Sequence, residues 1–526
     1  MNQVSKRGNE QIVTKLETLA DVPRFHAAAS GTAVAISFEG RSTTYADLQE
    51  ASSRVANGLR QMGVGPGDRV AVLDRNVDRF FEIWLGAAKC NAVIVPVNAR
   101  LAPPEVAYIV KDSSAKVLFI GESFAPLVDQ VRGELQDLKA VIVINEDYQT
   151  WRNEQEWSDP VTVGASDDVC MQLYTSGTTG HPKGVQLTNR NILSGMADTL
   201  AAWGDWSSHD VALVAMPLFH IAGCGLGMLS LVAGLRVVLV REFAPEQVIS
   251  LIEKERITVS FLVPAMIKFI LEDKSIAHAD VSSVRCIVYG ASPIPLALLQ
   301  SALSRFKSTS FIQIYGLTET TGGITVLSAE DHRRPDGAHM RSCGRPITGV
   351  ELRIEGADGA AVKPGEVGEI LCRTVKNMKG YWNRDAETTR TLRDGWLRTG
   401  DAGYVDANGY LFIHDRVKDM IVSGGENIYP AEVESAIFGH PAVADVAVIG
   451  VPDERWGEAV KAVIVLKSGQ KGDSVDILNY ARERIAGYKV PKSIDYAEAL
   501  PRNPTGKILK RELRKKYWKG YERQVN

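Results

Sequence analysis

Runs of consecutive apolar residues alternate with amphipathic segments through about the first 330 residues of the chain. Four of these runs lie at residues 69–73, 92–97, 116–120 and 140–144. Apolar residues without polar alternation are typical of strands that are buried on both faces, whereas residues 46–62 have the spacing of an amphipathic helix. This pattern predicts an α/β domain in which helices pack on largely parallel sheets.

The pattern changes twice in the last third of the chain. Short strands separated by turns are predicted at 350–354, 368–372 and 409–413, which indicates a small β-subdomain. Beyond Lys418 the spacing predicts two helices and two strands, at 431–437, 443–449, 461–466 and 475–485. We therefore predict an N-terminal domain at 1–417, with its β-subdomain at about 340–417, and a compact α+β domain at 418–526.

Composition is that of a soluble enzyme with more than one domain. The chain has 526 residues, more than a single hydrophobic core usually supports. A net charge of −3 gives no electrostatic reason to expect nucleic acid as a partner. The six cysteines form no Cys-x-x-Cys pair, so we expect neither a zinc site nor a disulfide framework, and a reducing cytosol fits best.

Two further observations bear on location. The first nine residues contain no apolar stretch of the kind found in secretory signals, and the apolar run 221–235 is too short to cross a bilayer. We expect a cytoplasmic enzyme without integral membrane association, and we interpret 221–235 as a buried helix beside the site. The oligomeric state stays open, with a homodimer as one candidate.

The segment from Tyr174 to Gly184 combines glycines, hydroxyl side chains and one lysine within eleven residues. Glycines let the backbone approach a ligand closely, backbone N–H groups and hydroxyls donate hydrogen bonds, and Lys183 adds a positive charge. The segment differs from the common P-loop, because Pro182 precedes the lysine and a glycine follows it. A plain flexible loop is the alternative. The pattern favours a phosphate-binding loop made of Thr175, Ser176, Gly177, Thr178, Thr179, Gly180 and Lys183.

With this loop, six other segments in chain order resemble the AMP-forming acyl-CoA synthetases. That family belongs to the adenylate-forming superfamily, which also contains peptide-synthetase adenylation domains and beetle luciferases. The six segments are residues 43–48, 216–220, 315–319, 395–401, 415–427 and 501–507. The resemblance covers nearly the whole chain, and it implies an enzyme with a mobile C-terminal lid domain.

The reaction that the resemblance implies has two steps. A carboxylate attacks the α-phosphorus of ATP, with Mg²⁺ and loss of pyrophosphate, and the thiol of coenzyme A then attacks the acyl-adenylate and releases AMP. Such phosphorus chemistry depends on positioning and on neutralisation of charge. ATP, Mg²⁺ and coenzyme A are therefore the expected cofactor and co-substrates.

The resemblance assigns roles to particular residues. Glu319 would bind Mg²⁺, Thr318 would contact the α-phosphate, and Lys507 would bridge the substrate carboxylate and the α-phosphate. Asp401 would bind the ribose hydroxyls with help from Arg416, although an interdomain ion pair would also explain these two residues. The residues expected around adenine and AMP are Gly290, Ala291, Ser292, Tyr315 and Gly316.

The resemblance also implies that the acyl pocket is formed around residues 220–227, 263–266, 289–292 and 316–324, with His220, Gly225, Ala265 and Gly316 as its named members. These segments are apolar and contain many small residues. Small residues leave volume, and no arginine in these segments could pair with a second carboxylate. His220, which could instead be structural, would gate or line the pocket together with the lid. This composition predicts a hydrophobic monocarboxylic acid, with medium- or long-chain fatty acids leading and aryl acids such as 4-coumarate or ferulate following.

The lid domain carries the remaining expectations. Its hinge would be Lys418. Ser423, Gly424 and Gly425 could pass the pantetheine arm of coenzyme A, with a plain interdomain turn as the alternative. The basic helix near residues 510–516 is interpreted as solvated.

Three rival functions remain open at this stage. They are a stand-alone adenylation enzyme, a luciferase-like monooxygenase, and a lipid- or RNA-binding scaffold that has kept the fold. A scaffold would be expected to lose its site residues, whereas Lys183, Glu319, Asp401, Arg416 and Lys507 are all present.

Overall fold

The computed structural model describes residues 12–161, 164–175, 182–204, 206–334, 336–337, 339–356, 358–416, 419–423, 426–453, 455–502 and 508–519. These residues form a large N-terminal α/β domain with three sheets and a smaller C-terminal domain with a fourth sheet. The predicted fold class is confirmed.

The strands lie in all four sheets. Within the described residues they are β1 (Val34–Phe38), β2 (Arg41–Thr44), β3 (Arg69–Leu73), β4 (Val93–Val97), β5 (Ala115–Gly121), β6 (Ala140–Ile144), β7 (Val169–Thr175), β8 (Lys183–Thr188), β9 (Val211–Val214), β10 (Arg236–Leu239), β11 (Val259–Leu262), β12 (Cys286–Gly290), β13 (Ser310–Leu317), β14 (Gly322–Leu327), β15 (Arg345–Pro346), β16 (Glu351–Glu355), β17 (Gly368–Arg373), β18 (Gly380–Tyr381), β19 (Leu392–Arg393), β20 (Trp396–Val405), β21 (Leu411–Arg416), β22 (Ile421–Ser423), β23 (Glu426–Ile428), β24 (Val443–Asp453), β25 (Gly457–Leu466) and β26 (Ser493–Tyr496).

The α-helices pack on the faces of these sheets. Within the described residues they are α1 (Asp21–Ser30), α2 (Tyr45–Gln61), α3 (Arg79–Lys89), α4 (Pro103–Asp112), α5 (Ala125–Val131), α6 (Glu146–Asn153), α7 (Asn189–Leu193), α8 (Met196–Ala202), α9 (Ile221–Val232), α10 (Pro245–Lys254), α11 (Pro264–Glu272), α12 (Leu296–Arg305), α13 (Asp385–Thr391), α14 (Pro430–Phe438), α15 (Ser474–Arg482) and α16 (Lys510–Lys515).

The first sheet has seven strands in the order β18-β8-β7-β4-β3-β5-β6. The pairs from β7 to β6 are parallel, whereas β8 and β18 extend the sheet by antiparallel pairing. Strands β3, β4 and β5 are almost entirely buried, as their apolar sequences predict. The prediction that β6 is buried on both faces is wrong. Its five residues are all partly exposed because β6 is the edge strand of the sheet.

The second sheet has nine strands in the order β15-β14-β13-β12-β11-β9-β10-β1-β2. Its central pairs, from β13 to β1, are parallel. The carboxyl ends of parallel strands in such open sheets are where ligands usually bind. In this protein β7 of the first sheet ends at Thr175, and β12 and β13 of the second end at Gly290 and Leu317.

The predicted β-subdomain is an antiparallel sheet of β16, β17, β20 and β19, with β21 paired to β20. Its last strand was expected at 409–413 but begins at Leu411. The reason is a turn in which Gly409 has φ +83° and Asp406 and Tyr410 form a backbone hydrogen bond of 2.9 Å. Residues up to 410 are therefore part of the turn.

The C-terminal domain folds around its own sheet, β23-β22-β25-β24, with β26 parallel to β25. Helices α14 and α15 cover one face through side chains such as Val433 and Ile477, which are fully buried. Its two apolar clusters contain only residues from 421 onwards. No helix in the described ranges has the length and apolar character needed to cross a membrane.

Candidate active site

The phosphate-loop candidate lies on the hairpin β7–β8. Thr175 at the end of β7 pairs with Lys183 at the start of β8, and residues Ser176, Gly177, Thr178, Thr179 and Gly180 lie outside the described residues. The Lys183 ammonium forms an ion pair with Glu387 and lies 5.0 Å from the centre of the Tyr381 ring. The hairpin therefore places a cation at the carboxyl end of β7.

Glu319 and Thr318 form a single helical turn directly after β13. The Glu319 backbone carbonyl accepts a hydrogen bond of 2.8 Å from the Met378 amide, and its Oε1 accepts one of 3.0 Å from the Tyr381 hydroxyl. The turn ends at Thr321, which has the left-handed φ of +52°. These contacts fix Glu319 at the end of the second sheet.

The surroundings of Glu319 fit a magnesium ion. Its carboxylate accepts a hydrogen bond from a neutral hydroxyl, and no cationic side chain in the described part of the chain pairs with it. The same residues contain no group of three His, Cys, Asp or Glu side chains that could enclose a metal. A single hard oxygen donor suits Mg²⁺, which keeps several waters and is usually shared with substrate phosphates.

The predicted nucleoside residues include a buried hydrogen-bonded pair. The Tyr315 hydroxyl on β13 donates to Asp401 Oδ2 on β20 at 2.7 Å, and both side chains are buried. The β20–β21 register places Arg416 opposite Asp401 along the backbone. A carboxylate oriented by a tyrosine in this way can accept hydrogen bonds from vicinal hydroxyls.

Gly290 is the last residue of β12, and Ala291 and Ser292 form the bend that follows it. A Cβ on Gly290 would lie 2.3 Å from the carbonyl oxygen of Ile314, so only glycine permits this close approach to β13. Ala291 has φ +64°, which bends the chain away from the strand. The structure thus brings this turn beside Tyr315, as the sequence predicts.

His220 directly precedes α9, and its backbone carbonyl oxygen accepts hydrogen bonds from the amides of Gly223 and Cys224 in the first turn of that helix. Its Nε2 is buried and has no hydrogen-bond partner among the described residues. Burial, with a smaller contribution from Arg100, lowers the pKa of His220 to about 4. The ring is therefore neutral near pH 7, which suits the wall of an apolar pocket.

The glycines of α9 differ in what surrounds them. A Cβ on Gly223 would lie 2.2 Å from the Pro217 carbonyl oxygen, and one on Gly227 would lie 2.4 Å from the Phe81 ring. Near Gly225 the closest atom, Cδ1 of Ile221, is at 3.6 Å. The expectation that these small residues leave open volume is therefore wrong at two positions and fits only the third.

The same correction applies to Gly316. A Cβ there would lie 1.9 Å from the Gly322 carbonyl oxygen, so this glycine is required by the pairing of β13 with β14. Ala265, in the first turn of α11, is partly buried against the main core. A cavity of about 110 Å³ lies nearby, lined by residues that include Phe219, Met266 and Arg100.

The residues predicted for the lid are described only in part. Lys418, Gly424, Gly425 and Lys507 lie outside the described residues. Ser423 ends β22 and pairs with Gly457 of β25 along the backbone. The described neighbours of Lys507 are Arg502 and Ile508, which form an antiparallel bridge.

Comparison with known proteins settles the family. Residues 24–382 match the AMP-binding enzyme family, and residues 432–507 match the AMP-binding enzyme C-terminal domain. The chain belongs to the AMP-binding enzyme family.

Similar proteins in this family extend along nearly the full chain. A fatty acid–acyl-carrier-protein ligase of Streptomyces coeruleorubidus is 41% identical over 97% of this chain and 99% of its own. A feruloyl-CoA synthase of an Amycolatopsis species is 41% identical over 95% and 99%. The solved fatty acyl-CoA synthetase of Mycobacterium tuberculosis is 36% identical with a TM-score of 0.77, covering 95% of this chain and 98% of its own. The predicted reaction class, ATP-dependent ligation of an acid by an AMP-forming enzyme, is confirmed.

Sequence reasoning missed three charged or polar residues near the site of this AMP-binding enzyme. They are Tyr381 and Glu387, described above, and Lys376, whose buried ammonium donates to the Gly323 carbonyl oxygen at 2.5 Å. All three lie between residues 376 and 387, a stretch for which the sequence predicts no site residue. The signal that could have found them is the cluster of aromatic and charged residues around Gly380 within an otherwise turn-rich region.

Lys376 provides a prediction about stability. Burial lowers the pKa of its ammonium from 10.5 to about 8, so the unfolded chain binds more protons than the folded chain between these pH values. The contribution of Lys376 to the free energy of unfolding therefore rises as the pH is raised from about 8 to 10.5. We expect wild type to gain about 3 kcal/mol relative to Lys376→Met between pH 7 and 10.5.

Urea unfolding at a series of pH values measures this difference. Lys379→Met, which changes an exposed lysine three residues away, serves as the control and should follow wild type. If the free energy of unfolding changed with pH in the same way for wild type and Lys376→Met, burial of this charge would not carry the expected cost.

Proposed function

We propose that this protein is an acyl-CoA ligase that activates a hydrophobic monocarboxylic acid as its acyl-adenylate and transfers it to coenzyme A. Medium- or long-chain fatty acids are the leading substrates, and 4-coumarate or ferulate-type acids are the alternative. The observation that supports the proposal is that Lys183, from the first sheet, and Glu319, from the second, both contact the side chain of Tyr381. The buried Tyr315–Asp401 pair lies at the end of the same strand, β13, that leads to Glu319.

In the first step, the substrate carboxylate oxygen forms a bond to the α-phosphorus while the bond from that phosphorus to pyrophosphate breaks. Lys183 binds the departing phosphates, and Asp401 and Tyr315 orient the nucleoside. Glu319 would bind Mg²⁺, which when bound neutralises phosphate charge. Lys507 would lie between the carboxylate and the α-phosphate, where it reduces repulsion between two anions.

In the second step, the thiol sulfur of coenzyme A forms a bond to the acyl carbonyl carbon while the bond from that carbon to AMP breaks. The thiol proton passes to solvent, and AMP leaves as its anion. Rotation of the lid at Lys418 would withdraw Lys507 and bring residues near Ser423 towards the acyl group. We accordingly place the boundary between the domains at 417/418.

The hydrophobic substrate class is supported by two features of the expected pocket. His220 is neutral and makes no polar contact through Nε2 with any described residue, and Gly225 leaves room beside α9. These segments themselves contain no arginine, whereas Arg100 lines the neighbouring cavity and acts on His220. The reducing cytosol remains the proposed location, and all six cysteines of the chain are free thiols.

The rival functions differ in what the enzyme does after adenylation. A stand-alone adenylation enzyme would release pyrophosphate without transferring the acyl group to coenzyme A, and a luciferase-like monooxygenase would emit light with a luciferin and oxygen. One relative is named as a ligase for an acyl-carrier protein, so the acceptor must also be tested. Nothing in the described site favours any of these over coenzyme A.

The deciding experiment measures pyrophosphate release and formation of the acyl thioester across a panel of acids with ATP, Mg²⁺ and each acceptor. We expect fatty or aryl monocarboxylates to dominate with coenzyme A as the acceptor. A panel led by acetate, malonate or an amino acid would overturn the substrate class, and transfer only to holo-acyl-carrier protein would overturn the acceptor.

Gly225 tests the location of the acyl pocket. Gly225→Leu should slow bulky or long acids about tenfold more than short ones, because the added side chain fills the space beside α9. kcat/KM for a short and a long acid measures this ratio. Gly225→Ala is the control, since its Cβ fits and alanine favours a helix, so it should leave selectivity unchanged. Equal slowing of every acid by Gly225→Leu would show that Gly225 does not line the pocket.

A further inference from the structure

The segment 378–388 contacts both sheets of the nucleotide site. Its strand β18 pairs with β8, with Gly380 opposite Gln186 and Tyr381 opposite Val185. At its start, the Met378 amide donates to the carbonyl oxygen of Glu319 at 2.8 Å. The segment therefore connects the hairpin of the first sheet to the turn at the end of the second.

Tyr381 is the residue of this segment that contacts both Glu319 and Lys183. Its side chain is buried, and its hydroxyl donates to Glu319 Oε1 at 3.0 Å. The face of the same ring lies 5.0 Å from the Lys183 ammonium, within the range of a cation–π interaction. One rigid side chain thus contacts both charged groups that the proposed function assigns to the phosphates and the metal.

Glu387 completes the arrangement from the first turns of α13. It forms an ion pair with Lys183, and the two side chains are only 16% and 11% exposed. The Tyr381 amide donates to Thr388 Oγ1 at 2.9 Å, which ties α13 to β18. A lysine so far removed from water needs a counter-ion, and Glu387 supplies one that also limits where the ammonium can lie.

We propose that Tyr381 and Glu387 are positioning residues that set the Lys183 ammonium and the Glu319 carboxylate relative to each other before MgATP binds. Tyr381 orients the carboxylate through its hydroxyl, and Glu387 orients the ammonium through its ion pair. Both groups are then placed without reorganisation when the phosphates arrive, which is how preorganised sites gain affinity. The inference rests on the proposed roles of Lys183 and Glu319.

ATP binding in the absence of any acid tests this proposal without turnover. Calorimetry gives the Kd for ATP in EDTA and in saturating Mg²⁺, and the ratio of the two reports the gain in affinity due to the metal. Tyr381→Phe should weaken binding of MgATP about tenfold and leave binding of metal-free ATP unchanged, because it removes only the hydrogen bond to Glu319. Glu387→Gln should weaken the binding of MgATP and of metal-free ATP about tenfold each, so the ratio of the two Kd values should stay unchanged.

Matched variants separate positioning from loss of folding. Asp385→Asn removes an exposed charge from the same helix and should bind ATP as wild type does. Tyr45→Phe removes a buried hydroxyl that donates to the Leu235 carbonyl oxygen at 2.9 Å, so it should lower stability without changing the ratio. Glu387→Asp, which keeps the charge on a shorter side chain, should recover part of the lost affinity.

Two parent variants distinguish failure of this proposal from failure of the proposed function. Glu319→Gln should remove most of the gain due to Mg²⁺, and Lys183→Ala should weaken both forms of ATP. If Glu319→Gln and Lys183→Ala give these results while Tyr381→Phe and Glu387→Gln bind ATP as wild type does, the positioning roles of Tyr381 and Glu387 are wrong. If Glu319→Gln keeps the full gain, the metal role of Glu319 itself is wrong. A Tyr381→Phe variant that weakens both forms equally would also overturn its assignment to the carboxylate.

Discussion

We expect Lys507→Ala to slow formation of the acyl-adenylate by about a thousandfold while thioester formation from supplied acyl-AMP stays within a few-fold of wild type. The reason is that two anions must approach in the first step, and an ammonium between them lowers the repulsion where charge develops. In the second step a thiol attacks an activated carbonyl, and that charge problem is absent. Single-turnover assays of the two half-reactions measure the split.

The described residues on either side of Lys507 support its assignment to the lid. Arg502 and Ile508 form an antiparallel bridge, and the Leu509 amide donates to the Pro501 carbonyl oxygen at 2.7 Å. These contacts join the two ends of the segment to each other, and Arg502 pairs with Asp445 while Ile508 packs on the apolar cluster of the C-terminal domain. We infer that Lys507 enters and leaves the site as that domain moves.

Lys515→Ala provides the matched control for this experiment. Lys515 lies on α16 of the same domain, is more than half exposed and pairs with Glu512 at 2.6 Å. Removing it changes the charge of the domain by the same amount and should affect neither half-reaction. Equal loss of both half-reactions in Lys507→Ala would instead indicate that this lysine has a structural role.

Strands with long apolar runs could be predicted from sequence because their burial is set by composition alone. Strands β3, β4 and β5 lie where expected, within one or two residues. Strand β6 has an equally apolar sequence but lies at the edge of its sheet, and its exposure depends on strand order. Apolar composition identifies a strand without stating how many neighbours it has.

The glycines near the acyl pocket show the same limit at the level of single residues. Gly223, Gly225 and Gly227 are identical in sequence, yet two of them face a carbonyl oxygen or an aromatic ring from distant segments. A small residue leaves volume only if the rest of the fold does not fill it. That information is in the packing of α9 against residues such as Phe81.

The candidate site was predicted as far as its motifs extend. Lys183, Glu319 and Asp401 lie in segments recognisable from sequence, and the structure places them at the start of β8, directly after β13 and within β20. For Tyr381 and Glu387 the sequence shows only a cluster of aromatic and charged residues around Gly380, because their contacts arise from the pairing of β18 with the distant strand β8. Residues that position others are found through such long-range pairing.

Lys418→Pro should reduce thioester formation about a hundredfold or more, and pyrophosphate release in the first half-reaction should stay within a few-fold of wild type. Proline fixes φ near −65° and also restricts the residue before it, so a hinge that must change its backbone angles between two steps is held in one conformation. The comparison of pyrophosphate release with acyl-CoA formation measures the effect. Lys418→Ala removes the same side chain without restricting rotation and should retain both activities.

The positions of the flanking strands support this hinge. Strand β21 is paired to β20 in the N-terminal domain as far as Arg416, and β22 begins the C-terminal sheet at Ile421. Asp419 already forms an ion pair with Arg514 of α16, a contact within the C-terminal domain. The change from one domain to the other is therefore confined to very few residues, and Lys418 is among them. If Lys418→Pro and Lys418→Ala reduced thioester formation equally, the side chain rather than backbone rotation would be responsible, and the hinge would have to lie elsewhere.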